Sequence, residues 1–482
     1  IVVNYSETYY ISIMNLIDLT RVYALVMAIC SLATFAYAQT ANQPSQTSNS
    51  QLKDRVQQLP PVAIDLPKAS EYLDMANGSS FEELFARTLT NNKEIEAARQ
   101  GVEQALGLLQ QAGARPNPVL DGDIEFNRQE VGENRFSIGI EQTFEMGGKR
   151  DRRIKVARLG VEIAEQVLAD RQRQLRGELR NAFAEALAAA YTLAANERLM
   201  DFNREAFQII DVRFREGDAS ALERNLALVE INLLSSQRLN LYSRLVTSIL
   251  RLKQLAGLSM DEPLRLRGDL NVATLELSYT GARLAAFNTR PDLKAAQLAV
   301  DQAEANIELA KAAATPNIKG SISFIRERER FDLFGFKDSG MRSPITDTDQ
   351  SIEFKISVPL PLFDRNRGNL RAALAARAEA VARQATLERA IEQEIANIYL
   401  RYETIQRTRE LFQFGILPQS EVNLQIIREA YNLGQVNFTD VIAQQRRLIE
   451  AQVNSANAAL EYYRVLADLE KAIGMPILKD QK

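Results

Sequence analysis

Three residue types are absent or nearly absent from this chain of 482 residues, which has no histidine, no tryptophan and a single cysteine, Cys30. Histidine is the most common general base and metal ligand in proteins, and thiolates are the usual ligands of soft metals. Carboxylates could act without them, but most aspartates and glutamates here lie in segments with helical patterns, where solvation is their usual role. We therefore predict that the protein is not an enzyme and holds no cofactor and no metal.

No charge of one sign dominates the chain. The net charge is −4, the isoelectric point is about 5.5, and acidic and basic residues are interspersed throughout. A surface that follows a phosphate backbone needs clustered basic residues. A composition with 46% hydrophobic and 25% charged residues is that of an ordered protein. We predict a folded protein that does not bind nucleic acid.

A secretion signal is predicted near the N-terminus. Met14 precedes Arg21, an apolar stretch over 22–35 and the sequence Ala-Tyr-Ala at 36–38. This arrangement is typical of a signal peptide cleaved before Gln39. The apolar stretch is shorter than the roughly 20 residues that a membrane-spanning helix needs, so a retained anchor is disfavoured.

We interpret residues 1–38 as a mis-assigned start followed by this signal peptide. Cys30 lies within the segment, so the secreted protein is expected to have no thiol, no disulfide and no thiolate metal site. Residues 39–80 are polar and then rich in proline, and they are predicted to be flexible.

The chain contains two similar halves. The sequence AGARPN at 112–117 recurs as AAATPN at 312–317, 200 positions later, whereas Gly217 has its counterpart in Gly434, 217 positions later. Solenoid repeats have periods of roughly 20–50 residues, far shorter than this one. A duplicated structural unit is therefore indicated.

We predict two structural repeats, 81–282 and 283–482, each with a helix, a β-hairpin and a long helical hairpin. The growth of the offset between the landmarks indicates an insertion in the second repeat. We place it at 331–350 and interpret it as a loop, because it contains Gly335, Gly340 and Pro344.

Each repeat is predicted to contain two strands. Pro116 and Pro316 end the preceding helices, and beyond them apolar residues alternate with polar ones. We expect four strands of about ten residues, each with one apolar face. Five phenylalanines could form an aromatic girdle or belong to a core, and the sequence leaves this open. They are Phe126, Phe136, Phe144, Phe324 and Phe354.

A long helical pattern follows each strand pair, over about 149–216 and 367–433. About 67 uninterrupted residues would reach roughly 100 Å at 1.5 Å per residue. In the second pattern, apolar residues recur at steps of three and four and form one seam. The seam consists of Leu387, Ile391, Ile395, Ile398, Tyr402 and Ile405.

Glycines are predicted to reverse the chain after each long helix. Gly217 and Gly434 can adopt the left-handed conformation that ends a helix. Ser220 and Asn437 follow them at equivalent positions and can cap the return helices.

Four strands with one apolar face cannot close a barrel by themselves. Alternating strands of this length are typical of outer-membrane barrels, and their edges must be paired with other chains. Three copies would supply twelve strands, enough for an aqueous lumen. The predicted fold is mainly α with a β-barrel part, and the predicted location is the outer membrane.

The sequence resembles the TolC family of outer-membrane efflux proteins. The resemblance is carried by YNLGQVNFTDVIAQ at 431–444 and by the order of strands and helices around it, and it covers most of the chain after the signal peptide. The segments QTFEMGGKR at 142–150 and VPLPLFDR at 358–365 resemble junctions of the heavy-metal branch, the CzcC and CusC type. The resemblance implies a 12-stranded trimeric barrel continued by a long periplasmic α-helical barrel.

A passive exit duct of a tripartite efflux system is the function that the resemblance implies. A homotrimer in the outer-membrane lipid would receive its substrates, which could include metal cations, from an inner-membrane pump of the RND type. A periplasmic adaptor, a membrane fusion protein, would connect the two. The adaptor would dock on the hairpin tips, at Gly217, Ser220, Gly434 and Asn437.

The same resemblance places Asp440 near the periplasmic aperture, where family members carry an acidic ring that favours cations. The family's second acid, three residues on, is replaced by Ala443. Glu223 is the counterpart of Asp440 at the offset of 217, so each subunit could offer two acids.

Several alternatives stay open. The duct could belong to a type I protein secretion system. Because alternation in short strands is a weak signal, the chain could also be a soluble periplasmic coiled-coil structural protein. The tip residues could serve only the helix turns, and Glu223 and Asp440 could be solvated carboxylates on a helix surface.

Overall fold

The structure of the chain, a computed structural model, describes residues 65–127, 132–270 and 278–478. The predicted signal peptide and residues 39–64 of the predicted flexible segment lie outside the described residues. Residues 65–80 are folded, which differs from the flexibility predicted for 39–80. Ala69 is buried and Leu73 forms a parallel bridge with Leu266, so these few apolar residues hold the segment against the helices.

The two halves of the chain have the same order of elements. The first contains α1 (Phe81–Asn91), α2 (Lys93–Gly113), β1 (Val119–Glu125), β2 (Gly132–Phe144), α3 (Lys149–Glu216) and α4 (Ala221–Ala256). The second contains α5 (Tyr279–Thr289), α6 (Pro291–Ala313), β3 (Ile318–Phe336), β4 (Arg342–Ser357), α7 (Arg367–Glu410), a π-helical segment (Leu411–Ile416), α8 (Leu417–Asn432) and α9 (Phe438–Ile473). The described residues are therefore mainly helical with four strands, as predicted.

The described residues form two compact units. The end of α3 and the beginning of α4, Phe207–Val229, form one unit. The other lies within Ala63–Ala206 and Glu230–Lys482, and it contains all four strands.

The four strands form one antiparallel sheet in the order β1-β2-β3-β4. The expectation of about ten residues per strand was wrong, since the strands contain 7, 13, 19 and 16 residues.

The predicted loop at 331–350 was also wrong, because most of it extends the hairpin of β3 and β4. Arg330 pairs with Thr346, and after a register shift Phe334 pairs with Pro344. Proline is tolerated there because β4 is at the edge of the sheet, where alternate N–H groups need no strand partner.

The second long helix is interrupted, whereas the sequence suggested a continuous one. The π-helical segment Leu411–Ile416 separates α7 from α8. Pro418, near the start of α8, lacks an N–H group, and its ring would clash with the carbonyl of Phe414 in a regular α-helix. The wider π turn accommodates the proline without ending the helix.

The core lies where α3, α4, α5, α7 and α9 pack together. Leu179, Leu187 and Leu193 of α3 are fully buried there, with Leu252 of α4 and Leu466 of α9. The predicted seam of α7 is confirmed. Ile391, Ile395, Ile398 and Tyr402 are buried, and Leu387 and Ile405 pack against the same core.

Candidate functional sites on the hairpin turns and the sheet

The first hairpin turn joins α3 to α4. Gly217 has φ of +91° and no atom lies within 4 Å of the position of a Cβ, so backbone conformation alone selects glycine. The N–H of Glu223 donates to Ser220 Oγ at 3.1 Å, and the N–H of Ser220 donates to the Glu223 carboxylate at 3.3 Å. The two side chains form a reciprocal capping box at the start of α4.

An arginine buried behind this turn was not found by sequence reasoning. Arg224 Nε donates to Asp211 Oδ1 at 2.6 Å, and its guanidinium lies 5.4 Å from the ring centre of Phe207 and 5.8 Å from that of Phe214. The hydrogen bond from Arg224 holds the pKa of Asp211 below its ordinary value. The contact joins the two helices of the hairpin close to its tip.

The second hairpin turn joins α8 to α9. Gly434 has φ of +73°. The N–H of Asn437 donates to Asp440 Oδ2 at 3.1 Å, and the N–H of Asp440 donates to the backbone carbonyl of Asn437 at 3.0 Å. The rings of Tyr431 and Phe438 are 5.7 Å apart and pack across the turn.

Arg428 of α8 stacks on an aromatic ring. Its guanidinium is 4.6 Å from the ring centre of Phe202, and burial lowers its pKa from the ordinary value. No carboxylate among the described residues pairs with it. The ring face therefore supplies the attraction that a carboxylate supplies for Arg224.

The six residues singled out from the sequence fall into two groups of three. One turn holds Gly217, Ser220 and Glu223, and the other holds Gly434, Asn437 and Asp440. Both acids have a structural role that sequence reasoning missed, because each carboxylate accepts the N–H of the capping residue that precedes its helix. The spacing S-x-x-E and N-x-x-D was the signal that could have revealed it.

The sheet separates apolar from acidic side chains. The pairing register places every even-numbered strand residue on one face and every odd-numbered residue on the other, up to the register shift in β3. The even face carries Leu120, Ile124, Phe136, Ile138, Ile140, Phe144, Ile318, Ile322, Phe324, Ile352, Phe354 and Ile356. We call this set the apolar face.

The odd face is acidic, with ten carboxylates and three basic side chains. The acids are Asp121, Asp123, Glu125, Glu133, Glu141, Glu327, Glu329, Asp347, Asp349 and Glu353, and the bases are Arg135, Lys319 and Lys355. We call this the acidic face. Lys319 pairs with Glu141 at 2.8 Å and Arg135 with Glu327 at 3.4 Å, which leaves most of the acids without a basic partner.

The apolar face is uncovered in a single chain. Leu120, Phe354 and Ile356 are 69%, 76% and 78% exposed, and none of the five phenylalanines considered for a girdle or a core is buried. Large exposed apolar surfaces mark a contact with lipid or with another protein. No helix in the described part of the chain combines the length and the hydrophobicity of a membrane-spanning segment, and no three of the described acids are grouped as metal ligands would be.

An amphipathic sheet with two free edges, joined to two long helical hairpins, defines a subunit of an outer-membrane channel. The chain belongs to the outer membrane efflux protein family, whose model matches residues 84–258 and 285–475.

Sequence similarity to known relatives and structural similarity to solved structures support this family assignment. The chain is 21% identical to the cobalt-zinc-cadmium resistance protein CzcC of Cupriavidus metallidurans, over 80% of this chain and 87% of the relative. It is 24% identical to the solvent efflux pump outer membrane protein SrpC of Pseudomonas putida, over 86% of this chain and 88% of the relative. The crystal structure of CusC superimposes with a TM-score of 0.66 at 17% identity, covering 87% of this chain and 99% of that one.

Membership of this family tests several of the predictions made from the sequence. The chain is an outer-membrane efflux channel, with its helical part in the periplasm, and it is not an enzyme. The TolC-like fold and the resemblance to the heavy-metal branch are confirmed. The alternative of a soluble coiled-coil structural protein was wrong.

Proposed function

We propose that three copies of the chain close a 12-stranded barrel and act as the passive exit duct of a tripartite efflux system. The observation that supports closure is the pair of free sheet edges. Within the described residues, β1 and β4 each pair with one neighbour only. An unpaired edge cannot persist in lipid, because its N–H and C=O groups find no water there.

A disulfide cross-link between subunits tests this assembly. The only cysteine, Cys30, lies in the predicted signal peptide, so the secreted protein is expected to provide a cysteine-free background. Asp121 of β1 is in register, through β2 and β3, with Glu353 of β4. Closure of a barrel staggers the strands, so the β1 partner of the next subunit need not lie level with Glu353. Asp121→Cys combined in turn with a cysteine at each odd-numbered position of β4 from 343 to 357 should give a covalent trimer under oxidation in at least one combination.

The matched control moves the β1 cysteine by one residue. Leu120 lies on the opposite face, since a shift of one position along a strand reverses the side-chain direction. Leu120→Cys should therefore not cross-link with any of these odd-numbered β4 positions. A protein that stays monomeric in all combinations would contradict the barrel.

The proposed partners are a periplasmic adaptor and an inner-membrane pump of the RND type, with docking at the hairpin tips. Gly217, Ser220, Gly434 and Asn437 are exposed, as a docking surface requires, and the relative SrpC is named as part of a solvent efflux pump. A periplasmic adaptor expressed together with this chain is the partner to test.

Photo-cross-linking tests this docking directly. A photoreactive residue at Asp218 or Gln435, both exposed in the turns, should capture the adaptor in cells. The same group at Ala378, exposed in the first third of α7, serves as the control and should not capture the adaptor. Equal capture from all three positions would argue against tip docking.

Glu223 and Asp440 are proposed to favour cations at the periplasmic aperture. Their capping role means that alanine variants would confuse loss of charge with loss of the cap. Glu223→Gln with Asp440→Asn removes both charges and leaves side chains that can still accept the N–H of the cap. We expect a lower cation selectivity in planar bilayers with unchanged thermal stability. Unchanged selectivity would restrict both acids to capping.

The acidic face supports cations as cargo, because in a closed barrel it lines the lumen while the apolar face meets lipid. Deleting the gene should sensitise cells to divalent metals if metal export is its task, and to solvents if the cargo resembles that named for SrpC. Loss of one exported protein, with normal resistance to both, would favour type I secretion instead.

A further inference from the structure

Three arginines follow the apolar face toward the end of the β3–β4 hairpin. Arg326 lies opposite Phe136 and Gln350, Arg328 opposite Asn134 and Thr348, and Arg330 opposite Gly132 and Thr346. All three are exposed. Their even numbers place them on the same face as the apolar residues. We call these three residues the arginine ladder.

The ladder starts where the apolar band ends. From Phe144 to Phe136 the band covers eight residue steps of β2, about 27 Å along the strand and about 20 Å in height at a tilt near 40°. This is close to the height of the lipid-facing band of outer-membrane barrels, about 25 Å. Arg326 is level with Phe136 and therefore lies at the band's edge.

This edge of the apolar band faces the cell exterior. The helices join the sheet at the end that contains Phe144 and Ile318, whereas the β3–β4 turn lies at the opposite end. Since the helices are periplasmic, the turn faces the cell exterior. Arg330 lies about 13 Å further along the strand than Arg326, or about 10 Å in height. A head-group layer is roughly 5–8 Å thick, so the ladder covers it.

Charge is distributed unequally between the two faces at this level. Glu327, Glu329, Asp347 and Asp349 all lie on the acidic face, whereas the apolar face offers no carboxylate in the paired part of the described strands. None of the three arginines forms an ion pair within the described residues. Solubility of the hairpin alone would not require Arg326, Arg328 and Arg330 on one face and these carboxylates on the other.

We propose that the arginine ladder binds the phosphate groups of lipid head groups in the outer leaflet. A guanidinium matches a phosphate with two parallel hydrogen bonds, and three of them in a row, two residues apart, present donors through the full head-group layer. Thr346, Thr348 and Gln350 stand beside the arginines on the same face and add hydroxyl and amide donors. The inference rests on the barrel proposed above.

Binding of purified channel to lipid A in detergent tests the proposal. Lipid A with two phosphates and lipid A with one phosphate differ in phosphate number, and native mass spectrometry can measure the affinity for each. The variant is Arg326→Gln with Arg328→Gln and Arg330→Gln. The control is Arg371→Gln with Arg389→Gln and Arg407→Gln, which removes the same charge from exposed arginines of α7 that have no ion pair among the described residues.

An arginine at an anionic membrane surface strengthens binding roughly fivefold, so the ladder variant should bind the two-phosphate lipid on the order of 100-fold more weakly. Wild type and control should prefer this lipid, and salt should weaken their binding by screening. If the triple variant does not assemble, Arg328→Gln alone should still lose about fivefold.

Failure of the proposed barrel and failure of the proposed lipid binding give different results. A wild-type protein that forms no trimer would refute the barrel and the inference with it. A stable trimer in which the ladder variant binds both lipids as tightly as wild type would refute the inference alone.

Discussion

A buried carboxylate in α9 provides a sharp test of what holds the helical part together. Glu470 accepts a hydrogen bond from Arg176 Nε at 2.8 Å and from the N–H groups of Ile477 and Leu478, each at 3.1 Å. Its side chain is 5% exposed, and Arg180, 3.4 Å away, is 1% exposed. The carboxylate therefore neutralises two arginines and fixes the residues that follow α9.

The change to test is Glu470→Gln, which keeps the size of the side chain. One carboxylate oxygen becomes an NH₂ group that faces donors only, so at least one buried donor loses its acceptor, at about 1–3 kcal/mol. The arginines lose a buried counter-charge, and breaking such a pair costs about 3–5 kcal/mol. Glu82 still lies 3.0 Å from Arg180 and 2.5 Å from Arg176, so we expect the lower end, about 3 kcal/mol.

Heating the purified channel while following helix content by circular dichroism measures this cost. The method suits the chain because it has no tryptophan to report by fluorescence. At roughly 2 °C per kcal/mol for a large chain, the midpoint should fall by about 6 °C.

The matched control lies on the same helix. Glu461 is 40% exposed and pairs with Arg401 at 2.7 Å. Because exposed pairs contribute about 0–1 kcal/mol, Glu461→Gln should lower the midpoint by less than about 2 °C. Equal midpoints for wild type and Glu470→Gln would refute the reasoning, since a replaceable Glu470 cannot be the residue that neutralises Arg176 and Arg180.

Two further predictions concern the hairpin turns. The lowered pKa of Asp211 means that its ion pair stabilises the first turn fully above the ordinary aspartate pKa, near 4, and less as the pH falls through the lower folded-state value. Asp211→Asn should therefore make Phe207–Val229 more sensitive than wild type to proteolysis by pepsin at pH 5. This difference should shrink as the pH is lowered toward 2.5. A difference that stays constant with pH would contradict the prediction. Gly434→Ala should cost about 1 kcal/mol because φ is +73° there, and faster hydrogen exchange around the second turn would report it. The control Gly101→Ala, in an ordinary helical conformation with open space around it, should be neutral or stabilising.

Features that depend on neighbouring residues could be predicted from the sequence. Alternation identified the four strands, the spacing of Ile391, Ile395 and Ile398 identified the buried seam, and glycine followed by a capping residue identified both turns. Each of these signals lies within a few residues of the chain, where periodicity and turn chemistry act directly. The predicted duplication rests on the same kind of signal, since equal units repeat equal local signals.

Features that depend on residues distant in sequence could not be predicted and are seen only in the folded structure. The hairpin of β3 and β4 extends through 331–350 because the two strands pair with each other, and Pro344 is tolerated only because β4 lies at an edge. The ion pair of Arg224 with Asp211 requires the return of α4 along α3.

Among these features, the pairing register of β3 with β2 has the greatest consequence for function. The alternation Arg-Glu-Arg-Glu-Arg at 326–330 was present in the sequence, but it did not say which charge joins which face. Pairing with β2 places Arg326 beside Phe136 on the apolar face and Glu327 beside Arg135 on the acidic face. A shift of one residue would exchange the two, because side chains alternate along a strand.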